Sequence, residues 1–456
     1  MTINGNVIRS TLVGALGGLL FGFDTAVISG TTHALTLTYH LTHFLLGVTV
    51  SSALVGTVIG AMTAAIPGQK YGRRDSLRVM AIFYVVSALG CALAWNWPAL
   101  IFFRFIGGLG IGGSSVLGPM YIAEIAPPKW RGRLVGTFQI NIVVGILLAY
   151  LSNFLIARMQ LGATEWRWQL GISGVPAFCF LIALFRIPRS PRWLAMQSEL
   201  KEALHVLRLS GVPHPQQELD EIVASIHLER SSPTDPLFSR QYRFPVFLAI
   251  TVGMFCQLSG INAILYYLND IFAMAGSSKI SGDLQAVAVG ATNLVATLIA
   301  MTMIDRFGRR KLLLTGTAGL AICLAAISYV FTTHRHLHWL VWLLMAYIAC
   351  FAASQGAVVW VYISEIFPNR VRAKGQSLGS SSHWVSNAVI SLVFPIMAAS
   401  SGAYPFIFFG AMMVLDCFII LVYYPETSGV SLERLGRKLG LDSEYATPVP
   451  PGSGGD

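Results

Sequence analysis

The chain has 456 residues, 54% of them hydrophobic and only 11% charged. Soluble domains carry about 25% charged residues, so this composition excludes a chain folded wholly in water and calls for lipid around much of its length. The net charge of +10 invites a nucleic-acid reading. However, the Lys and Arg residues stand in short clusters between long apolar runs, which is how a membrane protein distributes positive charge.

A helix needs about 20 apolar residues to cross a bilayer. Twelve segments meet that length, at residues 8–30, 46–69, 76–95, 98–122, 134–157, 167–187, 245–275, 282–305, 311–332, 339–364, 375–399 and 403–424, numbered here as spans 1 to 12. The first runs from Val13 past Gly30 with no small-residue cleavage site, so it is expected to stay as a span rather than leave as a signal peptide. Positive residues crowd four connections: Lys70, Arg73, Arg74 and Arg78 after span 2; Lys129, Arg131 and Arg133 after span 4; Arg306, Arg309, Arg310 and Lys311 after span 8; Arg370, Arg372 and Lys374 after span 10. The short 1–2, 3–4 and 11–12 connections carry none, so both termini are expected in the cytoplasm, beneath the plasma (inner) membrane.

Between spans 6 and 7 lies a long polar connection, 188–244. Leu200, Ala203, Leu204 and Leu207 form one helical stripe there, and Leu219, Ile222 and Ile226 another, so short amphipathic helices are expected over 198–209 and 213–228. The expected organisation is a first six-helix bundle (1–187), a cytoplasmic linker (188–244), a second six-helix bundle with a short cytoplasmic helix (245–441) and a Pro/Gly-rich disordered tail (442–456). The fold class is all-α integral membrane. Cys91, Cys179, Cys256, Cys323, Cys350 and Cys417 all lie in apolar stretches without a C-x-x-C pair, and read as small buried hydrophobes with no metal or disulfide role. His334, His336 and His338 alternate in the 9–10 connection, but with Arg335 among them they read as a polar loop. No metal, cofactor or nucleic acid is expected.

The chain repeats itself. Tyr71-Gly-Arg-Arg74 recurs as Phe307-Gly-Arg-Arg310, and Tyr121-Ile-Ala-Glu-Ile125 recurs as Tyr362-Ile-Ser-Glu-Ile366. The copies follow the second and fourth spans of each half. Two parallel six-helix halves related by an axis along the membrane normal place a substrate between them near the midplane.

Several residues are out of place in lipid. Asp24 in span 1 and Arg104 in span 4 are an acid and a base buried in the same half. Such residues are costly unless paired, hydrated or neutralised. Protonation of Asp24 would break the pair and free the helices, making it a proton switch; a static bridge that locks packing is the alternative. Asp416 in span 12 is a second intramembrane acid, with no obvious partner in the sequence. Gln139, Gln257, Asn262, Asn293, His383 and Asn387 interrupt apolar spans, and amides offer the donors and acceptors that sugar hydroxyls need. Trp360 and Trp384 lie away from the interfacial belts, where they can stack on a pyranose ring, and Phe21 joins these candidate contacts. Interhelical hydrogen bonding and aromatic packing are the alternative use of the same residues. Glu124 with Arg131, and Glu365 with Arg370 or Arg372, stand at the inner helix ends beside Arg309 and the Gly-Arg-Arg turns. Bridges between them would set the conformational equilibrium.

Taken in order, Gly-Phe-Asp-Thr-Ala-Val-Ile-Ser-Gly (22–30), Pro119-Met-Tyr-Ile-Ala-Glu, Trp130-Arg-Gly, Ser190-Pro-Arg-Trp-Leu194, Gln257-Leu-Ser-Gly-Ile-Asn262, Asp305-Arg-Phe-Gly-Arg-Arg310 and Pro425-Glu-Thr resemble the sugar porter family of the major facilitator superfamily, over residues 10–440. The resemblance implies an acid at Asp24 as in bacterial and plant sugar–proton symporters, where facilitative glucose transporters have Asn, and Arg104 as its partner. It implies that Gln139, Gln257, Asn262, Asn293, Trp360, Trp384 and Asn387 line the sugar site, with Tyr266 and Tyr267 in the outer gate. The chain also departs from the family pattern. Cys256 stands where a first Gln is common, and Gly356-Ala357 replaces Gly-Pro, which is expected to stiffen span 10. Pro188-Arg-Ser-Pro-Arg192 lacks the acid of a cytoplasmic bridge, and Ser173 replaces a second acid found in some symporters. The expected function is hexose–proton symport by a monomer, with glucose as the expected hexose, and with a proton-independent facilitator, or a pentose such as xylose as cargo, as alternatives. A sugar sensor or a membrane enzyme finds no support in the motifs.

Overall fold

The computed structural model describes residues 4–231, 236–368 and 371–427, which are helices and their connections with no strand among them. The expected C-terminal cytoplasmic helix, the tail 442–456 and Arg370 lie outside the described residues. Among the described residues, twelve apolar segments are long enough to cross a membrane: Gly5–Gly30, His43–Lys70, Arg73–Ala92, Trp97–Ile125, Pro128–Arg158, Gly162–Arg186, Arg240–Tyr266, Lys279–Met303, Arg309–Thr333, Leu337–Glu365, Arg372–Ser400 and Tyr404–Tyr423. Each falls at its expected place, and most extend somewhat past the apolar run. Polar residues just outside that run explain the extension, because they cap helix ends: Asn4, Thr42 and Asn96 accept hydrogen bonds from the first-turn amides of spans 1, 2 and 4.

The molecule is a twelve-span membrane protein built of two six-helix halves. Span 1 packs along span 5 and span 2 along span 4; in the second half span 7 packs along span 11 and span 8 along span 10. Small residues let these helices approach closely. A Cβ on Gly22 would meet the carbonyl of Ile142, and one on Gly145 the carbonyl of Leu19, so spans 1 and 5 touch backbone to backbone. Between the halves, span 2 packs on span 11 and span 5 on span 8. The two seams are the same contact, exchanged by the twofold relation that the repeats announce.

Leu12, Met62, Leu93, Phe178, Ile322 and Phe418 are among many large apolar side chains exposed around the outside, as a lipid-facing belt requires. The cysteines follow this division rather than the expected uniform burial. Cys91 and Cys256 are buried, Cys179 is exposed, and Cys323, Cys350 and Cys417 are intermediate. An apolar stretch does not distinguish a side chain facing lipid from one facing the bundle.

Several spans are interrupted, among them span 2 at Ala64 and span 6 at Ile172–Ser173, and two of the breaks bear on the site. Span 7 stops at Leu258 and restarts at Ile261, with Gly260 at φ +87° between. Only glycine fits there: a Cβ would also strike the Phe409 ring. Span 10 breaks at Ser354, between Leu340–Ala353 and Gln355–Glu365, so the missing proline does not leave it continuous.

Among its described residues the linker holds three α-helices, Pro191–Met196, Leu200–Leu209 and Pro215–Ser231, one more than expected. The additional one opens on Ser190, whose hydroxyl accepts from the Trp193 amide, followed by a proline in the first turn. Trp193, Leu194, Ala203, Val206, Leu207, Leu219 and Ile226 form its core, whereas Leu200 is exposed. The stripe on the middle helix is therefore rotated by about one residue from the expected one. Asn4 and Asn6 both donate to the carbonyl of Leu209, tying the start of span 1 to the linker. The end of the molecule that carries the linker is called the linker face, and the other the far face.

Candidate functional site

Asp24 and Arg104 are brought together inside the first half. An Arg104 guanidinium nitrogen lies 4.0 Å from the Asp24 carboxylate, at the limit of an ion pair. Arg104 is buried and also donates to the carbonyl of Thr49 at 3.0 Å, which fixes its position. Asp24 is more open, facing a small cavity between the halves that is lined also by Phe21, Thr25, Tyr266 and Trp384. The acid–base pair and two candidate sugar contacts thus share one space.

Polar residues of the second half form a set of two hydrogen-bonded groups, which meet this space at Trp384 and Tyr266. Gln257 donates to the His383 ring at 2.8 Å and accepts from Asn262 at 3.1 Å. The break after Leu258 makes this possible, because it turns Asn262 back toward the preceding helix. His383 lies between aromatic rings, 4.9 Å from Trp360 and 5.3 Å from Trp384, and Trp384 meets Phe21 of span 1 at 5.3 Å. Asn387 donates to the Tyr266 hydroxyl and accepts from Ser391, and Tyr267 donates to the Ser391 carbonyl while stacking on Phe394. Tyr266 therefore touches both the cavity and the span 11 amide.

Gln139 is half-buried on span 5 and Asn293 is buried on span 8; neither is hydrogen-bonded to the set. Trp360 is partly exposed, with its ring against His383. Cys256 packs in the apolar core of the second half with Tyr362 and Tyr424. Asp416 has partners that the sequence did not suggest: Gln355 donates to it at 3.0 Å and Thr317 at 3.4 Å. Gln355 is the first residue after the span 10 break, so this buried acid anchors that break.

At the linker face the expected pairings change. Glu124 is paired with Arg73 at 2.8 Å, not with Arg131, which is exposed at the start of span 5. Glu365 is paired with Arg309 at 3.2 Å, and Arg372 donates instead to the Phe367 carbonyl. The acids at the ends of spans 4 and 10 face the Gly-Arg-Arg turns of spans 3 and 9.

A second pair of equivalent segments completes each arrangement. Ser190 donates to Glu124 at 2.5 Å and Thr427 donates to Glu365 at 2.6 Å, while Tyr121 and Tyr362 donate to the carbonyls of Pro188 and Pro425. Pro188-Arg-Ser and Pro425-Glu-Thr are thus a third repeat, visible in the sequence as Pro-x-hydroxyl after the last span of each half. Its middle residue differs in sign. Glu426 accepts from the backbone amides of Arg309 and Arg310, whereas Arg189 donates to Asp75, which also holds Arg74 and Arg78. The bridge acid absent from 188–192 is supplied by Asp75.

Comparison with known proteins agrees with this architecture. A family model described as sugar (and other) transporter matches residues 10–439. The D-xylose-proton symporter of Escherichia coli (strain K12) is 35% identical over 466 residues, covering 93% of this chain and 94% of its own. The arabinose-proton symporter of Bacillus subtilis (strain 168) is 36% identical over 439 residues, covering 94% of each. Among solved structures, the inward open conformation of the xylose transporter XylE from E. coli matches with a TM-score of 0.85 at 34% identity, over 95% of this chain and 99% of that one.

Proposed function

The chain belongs to the sugar transporter family, a family of transporters and not of enzymes, and from that membership we propose that it carries a monosaccharide together with a proton by alternating access of its two halves. The observation that carries the proposal is the shared cavity: Asp24 and Arg104 line the same space as Phe21, Trp384 and Tyr266. At 4.0 Å, opposite charges attract by on the order of 4 kcal/mol at an effective dielectric of about 20. The balance between conformations amounts to a few kcal/mol, so removing the Asp24 charge is enough to tip it. A proton taken up by Asp24 releases Arg104, span 1 moves against span 4, and the change reaches the sugar through Phe21 and the Tyr266–Asn387 bond.

The amides Gln257, Asn262 and Asn387 supply hydrogen bonds to hydroxyls, His383 orients Gln257, and Trp384 and Trp360 offer faces to the pyranose. Gln139 and Asn293 reach the sugar from the facing spans 5 and 8. Tyr266 and Tyr267 close the outer mouth. Glu124–Arg73 and Glu365–Arg309, with Arg131 and Arg372 nearby, hold the inner helix ends, and opening to the inside alters these ties. The linker face, rich in Lys and Arg, is cytoplasmic, so both termini lie inside the plasma membrane, and one chain is a complete transporter.

The cargo is a hexose; a pentose is the second reading, favoured by the xylose and arabinose named for two relatives. Purified protein in liposomes tests the whole. With an inward proton gradient the wild type accumulates labelled sugar above equilibrium, whereas Asp24→Asn only equilibrates it. A wild type that ignores the gradient makes the protein a facilitator and the Asp24–Arg104 pair a structural bridge. Competition by unlabelled glucose and xylose in the same assay separates hexose from pentose.

A further inference from the structure

The halves are also tied at the far face, by residues that the site above does not use. Lys279, at the start of span 8, contacts Glu165, at the start of span 6, at 2.6 Å. Glu165 is buried and also accepts from Gln169 of its own span. Of the ion pairs formed between described residues, this is the one that joins the first half to the second; the others stay within a half or hold the linker.

Two further ties lie on the same face. Thr32, just past span 1, donates to Asp270 at 3.0 Å, in the helix Leu268–Met274 that follows span 7. Ser29 at the end of span 1 donates to Asn269 at 3.1 Å, and Asn269 in turn donates to Asp283 of span 8, which is almost wholly buried. Every one of these partners crosses from one half to the other or supports a residue that does.

We propose that Lys279–Glu165, with Thr32–Asp270 and Ser29–Asn269–Asp283, is an outer lock that must break for the far mouth to open, and that its strength sets how the molecule divides its time between the two open states. The physical reason is that opening the far mouth separates the first turns of spans 6 and 8 and the end of span 1 from the helix after span 7. The charge-assisted bond at Glu165 is then exchanged for water, while nothing equivalent is lost at the linker face. Removing the bond favours the state open to the far side. The expected shift is about fivefold in the population ratio, the scale of a partly exposed ion pair. Lys279 is half-exposed, so part of this attraction is already screened. The inference rests on alternating access but not on proton coupling.

The test uses full-length protein in liposomes without a proton gradient, so a failure of symport leaves it readable. Hydrogen-exchange mass spectrometry follows residues 28–42 and 262–283 against the inner helix ends, and zero-trans influx and efflux give KM for each side. Glu165→Gln and Lys279→Gln are each expected to raise exchange at the outer segments and lower the outside KM. The swap Glu165→Lys with Lys279→Glu is expected to restore both. If Glu165→Gln does not insert stably, Lys279→Gln carries the same reading, because its side chain reaches the solvent. Single variants that leave exchange and KM unchanged overturn the proposal. Single variants that shift them without recovery in the swap overturn it too, because the effect would then not be that of the pair.

Discussion

Gly72 and Gly308 occupy equivalent turns at the linker face with nearly the same backbone, φ +89° and ψ 158° in one and φ +82° and ψ 155° in the other. That region is almost closed to residues with a Cβ, and forcing one into it costs on the order of 1–3 kcal/mol. At Gly308 a Cβ would also press on the Glu426 carboxylate that accepts the first amides of span 9. Gly308→Ala is therefore expected to lower thermal stability in detergent by about that amount. Gly132→Ala serves as control: it sits in the first turn of span 5 with nothing within 4 Å of the added methyl, and should be neutral or slightly stabilising. A scanning-fluorimetry melt of both variants checks this, and equal midpoints would mean the strained turn relaxes freely. These glycines were legible in the sequence because the turn is written twice. Asp416 was legible as an oddity, but its partners Gln355 and Thr317 were not, since nothing local links residues so far apart in the chain.

The helical elements were legible because the bilayer imposes a length: about 20 apolar residues have little choice but to be a span. Which elements the charges at the linker face join was not. Glu124 stands near Arg131 in sequence, yet it pairs with Arg73, because the end of span 4 faces the turn into span 3. The linker attachment repays the same attention. In the second half Glu426 sits over the start of span 9, which continues Arg309-Arg310-Lys311; in the first half Arg189 sits over the start of span 3, which continues Arg73-Arg74-Asp75. The two positions have exchanged sign together, so the first-half tie depends on its own pair of residues. Arg189→Glu or Asp75→Lys alone puts like charges face to face and should loosen the linker helices from span 3. The double change should restore the tie with the polarity that the second half suggests. Limited proteolysis within 189–231 reads it: faster cleavage in each single variant and near wild-type resistance in the double one. Equal cleavage in all four proteins would mean that Ser190–Glu124 and Tyr121–Pro188 hold the linker unaided.

For the whole molecule, the sequence repeats pointed to two related halves, but the seam between them became visible only in three dimensions. The seam has two copies, span 2 on span 11 and span 5 on span 8. Each has a glycine in close contact with the other half: Gly47 lies against the Leu392 backbone, and Gly290 against Tyr150 and the Leu147 backbone. Alternating access requires these surfaces to rock without coming apart, so they must be smooth, and a glycine is the smoothest surface a helix has. Tyr150 also spans the seam, donating to the Leu265 carbonyl at 2.9 Å. A Cβ at Gly290 would lie 3.0 Å from the Tyr150 ring and 3.3 Å from the Leu147 backbone, so a branched side chain there has to push span 8 off span 5. Overpacking of this kind costs about 1–3 kcal/mol, comparable to the difference between the two open states. Gly290→Val is thus expected to cut the rate of net sugar flux by an order of magnitude or so while weakening sugar binding far less, because Gln257, His383, Trp384 and Asn387 are all on other spans and only Asn293 and Gln139 lie on the two that are pushed apart. Tryptophan fluorescence on sugar addition, alongside flux in liposomes, separates the two effects. If binding and flux fall together, Gly290 belongs to the sugar site through its neighbour Asn293. If neither falls, the seam is wide enough during rocking to hide a valine, and the contact seen at Gly290 is not where the halves turn on each other.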